Sequence, residues 1–389
     1  MTFAGAGYSI SFIDVNQDVI QALNLEGRYP VDVVSNSARD RIWIEPVQGI
    51  DGRDLEAVAR EIATCDIMAT AVGVRALERI VPGLLAGLRS RWQANCKQPL
   101  NIILCENLIH ADTFVRDLLF RHVDEAEQKM FSERVGLVMA SIGRMVPVMT
   151  PEQRLEHPLL VQVEPYDTLP IDGAAFKGPA PKIRNLVLSA PFDSIVQKKL
   201  YLHNMGHAVS AYLGLHAGYQ FVYESMEDPW LYLCVQNAMI ESALALYKHN
   251  ADTGLQIQDL LAHINDLTYR FQNKALMDTN ERVGADPARK LAPSDRLVGA
   301  ASLALSMGII PVYIGLGIAA GIHQLEKIQV NLEIDEILEP LMQYEFGAEL
   351  VQDIVRTVDL IRQGTPIQEL FQTAERDRSR YQMKGDTHE

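Results

Sequence analysis

The first half of the chain alternates short β-branched runs with segments of helical periodicity. Residues 8–13 (YSISFI) read as a strand ending at Asp14, and NQDVIQALN reads as the helix that follows it. After the β-like segments PVDVVS and RIWIEP come a helical DLEAVAREIATC and a buried strand, DIMATAVG. A long helix, VRALERIVPGLLAGLRSRW, then leads to a second buried strand, LNIILCEN. Continuous apolar strands separated by helices predict a parallel sheet covered on both faces. In such sheets ligands bind beyond the carboxyl ends of the strands, where Asp14, Thr70, Ala71, Val72, Gly73, Glu106 and Asn107 fall.

The pattern changes at residues 150–191, a Pro- and Gly-rich stretch that predicts irregular connections with one strand, LLVQVEPY. From Phe192 onward the periodicity is helical almost throughout. The chain therefore reads as an α/β N-terminal domain, residues 1–190, and a mainly α-helical C-terminal domain, residues 191–389. The closing RDRSRYQMKGDTHE reads as a frayed polar tail. Between Arg296 and Glu326 no residue is formally charged, long enough for a bilayer span. Five glycines and the Met307-Gly308-Ile309-Ile310-Pro311 break instead predict two buried core helices.

Composition narrows the function classes. A chain of 389 residues, 48% apolar and 22% charged, fits two globular domains and excludes collagen-like, wholly disordered or disulfide-stapled proteins. A net charge of −15 argues against a general nucleic-acid or anionic-membrane binder. Cys65, Cys96, Cys105 and Cys234 form no C-x-x-C pair and read as reduced thiols, and the start has no secretory pattern. A cytoplasmic location is expected.

Three features carry candidate chemistry. Asp14 closes an early strand, where an acid either hydrogen-bonds the ribose of a dinucleotide or caps the next helix. Gly5-Ala6-Gly7 is not the start of a G-x-G-x-x-G loop: Ile10 takes the place of the third glycine, no strand precedes it, and Asp14 follows too soon. It reads as a turn into the strand ending at Asp14, and the chain is expected to lack a phosphate-binding loop.

The second feature is Lys198-Lys199-Leu200-Tyr201-Leu202-His203-Asn204-Met205-Gly206-His207. On an α-helix, Asn204 lies about 140° and His207 about 80° around the axis from Lys199, so the three project from one broad face. Gly206 would leave room there for a ligand. A neutral lysine amine takes a proton from an alcohol as a hydride leaves, and Asn204 donates to the developing alkoxide. The plainer reading is a solvated lysine pair and a structural histidine. His203 and His207 stand four apart like a zinc helix, but Asn204 replaces the glutamate of H-E-x-x-H and no third ligand is evident, so no metal is expected.

The third feature is a basic island at residues 282–296, with Arg282, Arg289, Lys290 and Arg296 against Asp286 and Asp295. It suits either a phosphate or polyol, or a loop held by internal ion pairs.

Lys199-x4-Asn204-x2-His207, followed by AYLG, resembles the catalytic helix of the polyol-specific long-chain dehydrogenases, and within them the mannitol-1-phosphate 5-dehydrogenase subfamily. FIDVNQ, TAVG, PLNIILCEN, FKG-x-x-P, KKLYLHNMGHAVSAYLG and RVG-x-x-P-x-RKL-x-x-x-DRL follow that subfamily in order, over nearly the whole chain. The resemblance implies a Rossmann-like N-terminal domain, a monomer, and reversible, NAD-linked, metal-independent oxidation of D-mannitol 1-phosphate to D-fructose 6-phosphate. It implies Lys199 as general acid/base, Asn204 and Asn107 as the groups polarising the reacting oxygen, and His207 as the group orienting substrate and lysine. Arg282 and Lys290 match substrate-gripping positions, and Arg289 is a candidate for the phosphate. Asp14 and residues 70–73 would meet NAD.

The family's first strand and GAGNIGRG-like loop have no counterpart here, so the chain is expected to begin at an internal methionine, with sheet neighbours lacking a partner. Mannitol 2-dehydrogenase and hexuronate reductase are sister readings. A remnant that binds sugar phosphate without NAD is the reading from another class.

Overall fold

The computed structural model describes residues 1–328 and 333–385. The chain divides into two compact units, Met1–Val196 and Gln197–Glu389.

In the first unit a turn at Ala4–Ala6 ends on Gly7, whose φ of 88° needs glycine, and leads into β1 (Ile10–Asp14). Then come α1 (Gln17–Glu26), β2 (Tyr29–Val34), β3 (Arg39–Ile44), β4 (Val47–Asp51), α2 (Leu55–Thr64), β5 (Ile67–Thr70), α3 (Leu77–Gln93) and β6 (Leu100–Leu104). After them stand α4 (Ala111–Phe120), α5 (Glu125–Arg134), β7 (Val135–Met139), α6 (Pro151–Glu156), β8 (Val161–Val163), β9 (Leu169–Asp172) and β10 (Leu186–Ser189).

The parallel strands form two separate ladders, β1 with β4 and β5-β6-β7, so β1 and β5 each have a strand on one side only among the described residues. β2 pairs antiparallel with β3 and parallel with β8, and β9 pairs parallel with β10. The stretch at 150–191 thus holds three short strands and a helix where one strand is predicted. Its polar, Pro-rich composition hides strands only three or four residues long.

α2 and α3 cover one face of this unit's main core, with Leu84, Leu88, Ile102, Leu104 and Leu119 at its centre. Their close approach requires Gly87, where a Cβ would lie 2.4 Å from that of Ile62. The buried Asp32 of β2 is held by Arg39 and Arg41, which also reach Glu156.

The second unit is helical. It follows α7 (Asp193–Lys198) with a π-helical turn, Lys199–Asn204, and then α8 (Met205–Ala217), α9 (Val222–Glu227), α10 (Pro229–His249) and α11 (Ile257–Phe271). The short α12 (Asn280–Gly284) and α13 (Pro287–Lys290) lead to α14 (Val298–Ser306), α15 (Val312–Lys327), α16 (Ile334–Leu338), α17 (Gly347–Arg362) and α18 (Ile367–Gly385).

α8 lies at the centre and packs against α10, α12 and α15. The uncharged stretch resolves into α14 and α15 around Gly308, whose φ is 69°. No helix among the described residues is long and apolar enough to cross a membrane. The first turn of α15 has no side-chain cap of its own. Glu241 of α10 supplies one, accepting from the amides of Tyr313 and Ile314 at 3.0 Å. The expected frayed tail is instead the last turns of α18: Tyr381 is buried and donates to Asp353 at 2.6 Å, and Arg380 bonds the same carboxylate. Only residues 386–389 of that tail lie outside the described residues.

Candidate active site

The candidate lysine opens the π-helical turn. Bonding from i to i+5 takes more residues per turn than the 3.6 of an α-helix, so a residue five positions on comes round near its predecessor. The turn therefore swings Asn204 toward the side of Lys199, closer than the 140° of an unbroken α-helix. A wide turn leaves a carbonyl without its usual helical partner. Here the buried Ser242 of α10 donates its hydroxyl to the carbonyl of Tyr201 at 2.5 Å. The expected role of Gly206 is overturned: it is buried, and a Cβ there would meet Met239 Sδ at 2.7 Å. It serves the close approach of α8 and α10.

Lys199 is largely withdrawn from solvent, and no carboxylate pairs with it among the described residues. Burial, and secondarily the Arg296 guanidinium, lower its ammonium to about 8. Lys290 is buried and likewise lowered to about 8, by burial and then by Arg296 and Arg289. Arg296 is thus the common neighbour of both amines, and Asp295 fixes it through Nε at 2.8 Å. Arg289 is spent on two carboxylates, Asp286 and Asp295, each at 2.9 Å. That part of the basic island is an ion-paired loop, because its aspartates stand three before and six after the arginine. Arg289, Lys290 and Arg296 nevertheless set three cations against Asp286 and Asp295, while Arg282 goes to Asp278 instead. The buried Tyr212 hydroxyl, without a partner among the described residues, lies in the same field.

His207 projects from the first turn of α8. Its ring stacks on Phe271 at 4.7 Å and 11°, and its Nε2 lies 3.4 Å from Asp278 Oδ2, at ion-pair distance without hydrogen-bond alignment. Arg282 donates through Nε to the other oxygen of Asp278 at 2.8 Å. His203 is buried behind it, and burial with the nearby Arg270 holds it neutral. Among the described residues no three His, Cys, Asp or Glu side chains are arranged to hold a metal ion.

The remaining candidates belong to the first unit. Asp14 accepts the amides of Val15 and Asn16 on Oδ1, at 2.7 and 2.9 Å. It does not cap α1; Asn16 does, accepting from Asp18 and Val19. Thr70 is buried with a hydroxyl that finds no partner among the described residues, and Ala71, Val72 and Gly73 form an exposed turn after β5. Glu106 fixes that turn, accepting from Val72 and Gly73 at 3.0 and 2.9 Å. A cavity of 390 Å³ opens beside it, lined by Val72, Gly73, Val74, Arg75, Ala76 and Arg79. Asn107 is exposed in the bend after β6.

An exposed acid at one strand end and an orphaned hydroxyl beside an open turn at another suit a dinucleotide's ribose hydroxyls. No strand-to-helix turn among the described residues carries more than one glycine, so they offer no pyrophosphate cradle of that kind. Sequence reasoning missed Asp278 and Ser242, which belong to no motif, and placed Glu106 at a strand end without foreseeing that it fixes the 71–73 turn. Only the acid four positions before Arg282 hinted at a pair.

Known proteins bear on this arrangement. A D-sorbitol dehydrogenase in substrate-free form superposes with a TM-score of 0.76 at 15% identity, over 94% of this chain and 88% of the other. Pseudomonas fluorescens mannitol 2-dehydrogenase, in a ternary complex with NAD and D-mannitol, gives 0.68 at 17%, over 96% and 88%. At such identities the likeness speaks for the fold. The mannitol dehydrogenase Rossmann domain matches residues 1–185 and the mannitol dehydrogenase C-terminal domain matches residues 192–361. With both domains matched in order, the chain belongs to the mannitol dehydrogenase family.

Proposed function

We propose that the chain catalyses the reversible, NAD-linked oxidation of D-mannitol 1-phosphate to D-fructose 6-phosphate. The observation that carries this reading is a desolvated lysine amine, lowered to about 8, sharing a π-helical turn with Asn204. An amine of that acidity exchanges a proton near neutral pH, as a general acid/base must.

In oxidation, neutral Lys199 takes the hydroxyl proton of the reacting carbinol. Asp14 and the 70–73 turn would hold NAD, which when bound would supply the hydride acceptor. Asn204 and Asn107 donate to the oxygen as it becomes a carbonyl, and His207 orients it. In reduction, protonated Lys199 returns the proton. Arg282 and Lys290 grip the polyol chain. The phosphate is favoured by the excess of cations around Lys290 and Arg296 and by the unpartnered Tyr212 hydroxyl. Arg289, tied to two aspartates, contributes through its field.

The test is NADH oxidation with fructose 6-phosphate against free fructose, together with calorimetry of NADH binding. Turnover specific to the phosphate is expected. Equal or better turnover of fructose would move the reading to a mannitol 2-dehydrogenase. Silence with both sugars, and no heat with millimolar NADH, would overturn it.

A further inference from the structure

Two groups proposed to hold the substrate, His207 and Arg282, sit on different helices, α8 and α12, yet converge on one carboxylate. Asp278 presents Oδ2 to His207 Nε2 at 3.4 Å and Oδ1 to Arg282 Nε at 2.8 Å. The residue is only 8% exposed. Its backbone is pinned from both sides. The Val222 amide donates to its carbonyl at 2.9 Å, Thr279 bridges to Phe221, and the Asn280 amide donates to Gln220 at 2.9 Å. The carboxylate is therefore a fixed point to which two side chains are referred.

We propose that Asp278 is a positioning residue that sets the tautomer and orientation of His207 and anchors Arg282, so that both meet the substrate as one unit. This rests on the polyol dehydrogenase reading. A carboxylate facing Nε2 favours the tautomer with its hydrogen there, which leaves the lone pair on Nδ1. Phe271 stacked against the ring restricts its tilt, and Asp278 then selects its rotation. Burial alone would push the Asp278 carboxyl up, but His207 and Arg282 outweigh it and hold it below its ordinary range, so it stays an acceptor at neutral pH.

Asp278→Asn keeps shape and one acceptor oxygen while removing the charge. In the full chain it should lower kcat/KM for fructose 6-phosphate about 100-fold with NADH affinity unchanged, the scale expected when a substrate-orienting group is misplaced. In a His207→Ala background the same change should cost about 10-fold or less, the remainder acting through Arg282. Equal losses in both backgrounds would overturn the proposal.

A second readout needs no turnover. Ring nitrogen NMR of His207 should report the Nε2–H tautomer in the wild type and a redistributed tautomer in Asp278→Asn. Asp278→Glu, which keeps the charge, should hold the tautomer and serves if the asparagine variant unfolds. An unchanged His207 spectrum overturns the role of Asp278. The expected shift in a protein that turns over no sugar would support that role and count against the polyol reading alone.

Discussion

The two units bury their substance differently. β1 has no fully buried residue and, among the described residues, a strand on one side only, whereas α15 buries twelve residues and even its first amides find a carboxylate in Glu241. The candidate cofactor groups of the first unit, Asp14 and the 71–73 turn, are exposed. The candidate lysines of the second, the acid/base Lys199 and the substrate-gripping Lys290, have lost most of their hydration. A surface meant to receive a large polar ligand can stay open, while a lysine that must give up its proton near neutral pH needs a rigid, dry surround.

The strongest way to break this contrast is Lys199→Met. Turnover should fall by about 10³-fold or more in both directions, with NADH affinity unchanged, as measured by steady-state kinetics and calorimetry. The fold should gain stability at pH 7. The folded-state value of about 8 lies below the ordinary 10.5, so the folded protein carries a penalty below pH 8 that fades as pH rises toward 10.5. Removing the amine should recover up to about 3 kcal/mol of it in denaturant titrations at pH 7, and nothing near pH 11.

Next in size, hydrogen exchange should separate the units, with β1 amides exchanging on the order of 100-fold faster than those of α10 and α15. Uniform protection would show that the open strand edges cost no local stability. Ser242→Ala should lower kcat about 10-fold, because the Tyr201 carbonyl loses its donor and the π-helical turn loses its tie to α10. Unchanged kinetics would mean the turn holds itself. Asp14→Ala should weaken NAD roughly 10-fold and narrow the preference over NADP, read from the ratio of turnover efficiencies. The smallest effect is expected of Arg296→Gln, which removes the lesser cause of the Lys199 shift. The pH at which oxidation rises and reduction falls, near 8 in the wild type, should move upward.

In the first unit β5 and β6 were legible because buried parallel strands are nearly pure apolar runs, as in Leu100–Leu104, whereas β4, α4, α5 and β7 were not read from the sequence. The break between α14 and α15 was legible from Gly308 and Pro311. The last turns of α18 were not, since Tyr381 and its arginines read as polar surface until Asp353, far away in sequence, is beside them. Within the candidate site, the chemistry-bearing types Lys199, Asn204 and His207 stand out by spacing, but their angular relation does not. A projection at about 100° per residue assumes an unbroken α-helix. Gly206 misled for a related reason: a missing side chain marks close approach without saying of what. Asp278 offered no pattern at all, because its meaning lies in two partners on separate helices.

The π-helical turn has one further consequence, for insertions and deletions. Removing a single residue from Lys199–Asn204 would let the ladder close as an ordinary α-helix, which costs the helix little. Five steps of the wide turn and four of an α-helix both come round close to one full turn, so everything on its amino-terminal side would keep nearly its present phase relative to α8. Lys199 would then stand four residues from Asn204, still on one face, and the two would stay together. For anyone grafting this segment onto another scaffold, a residue can therefore be lost inside the turn, whereas one lost from the regular α8 would rotate its flanks by about 100°.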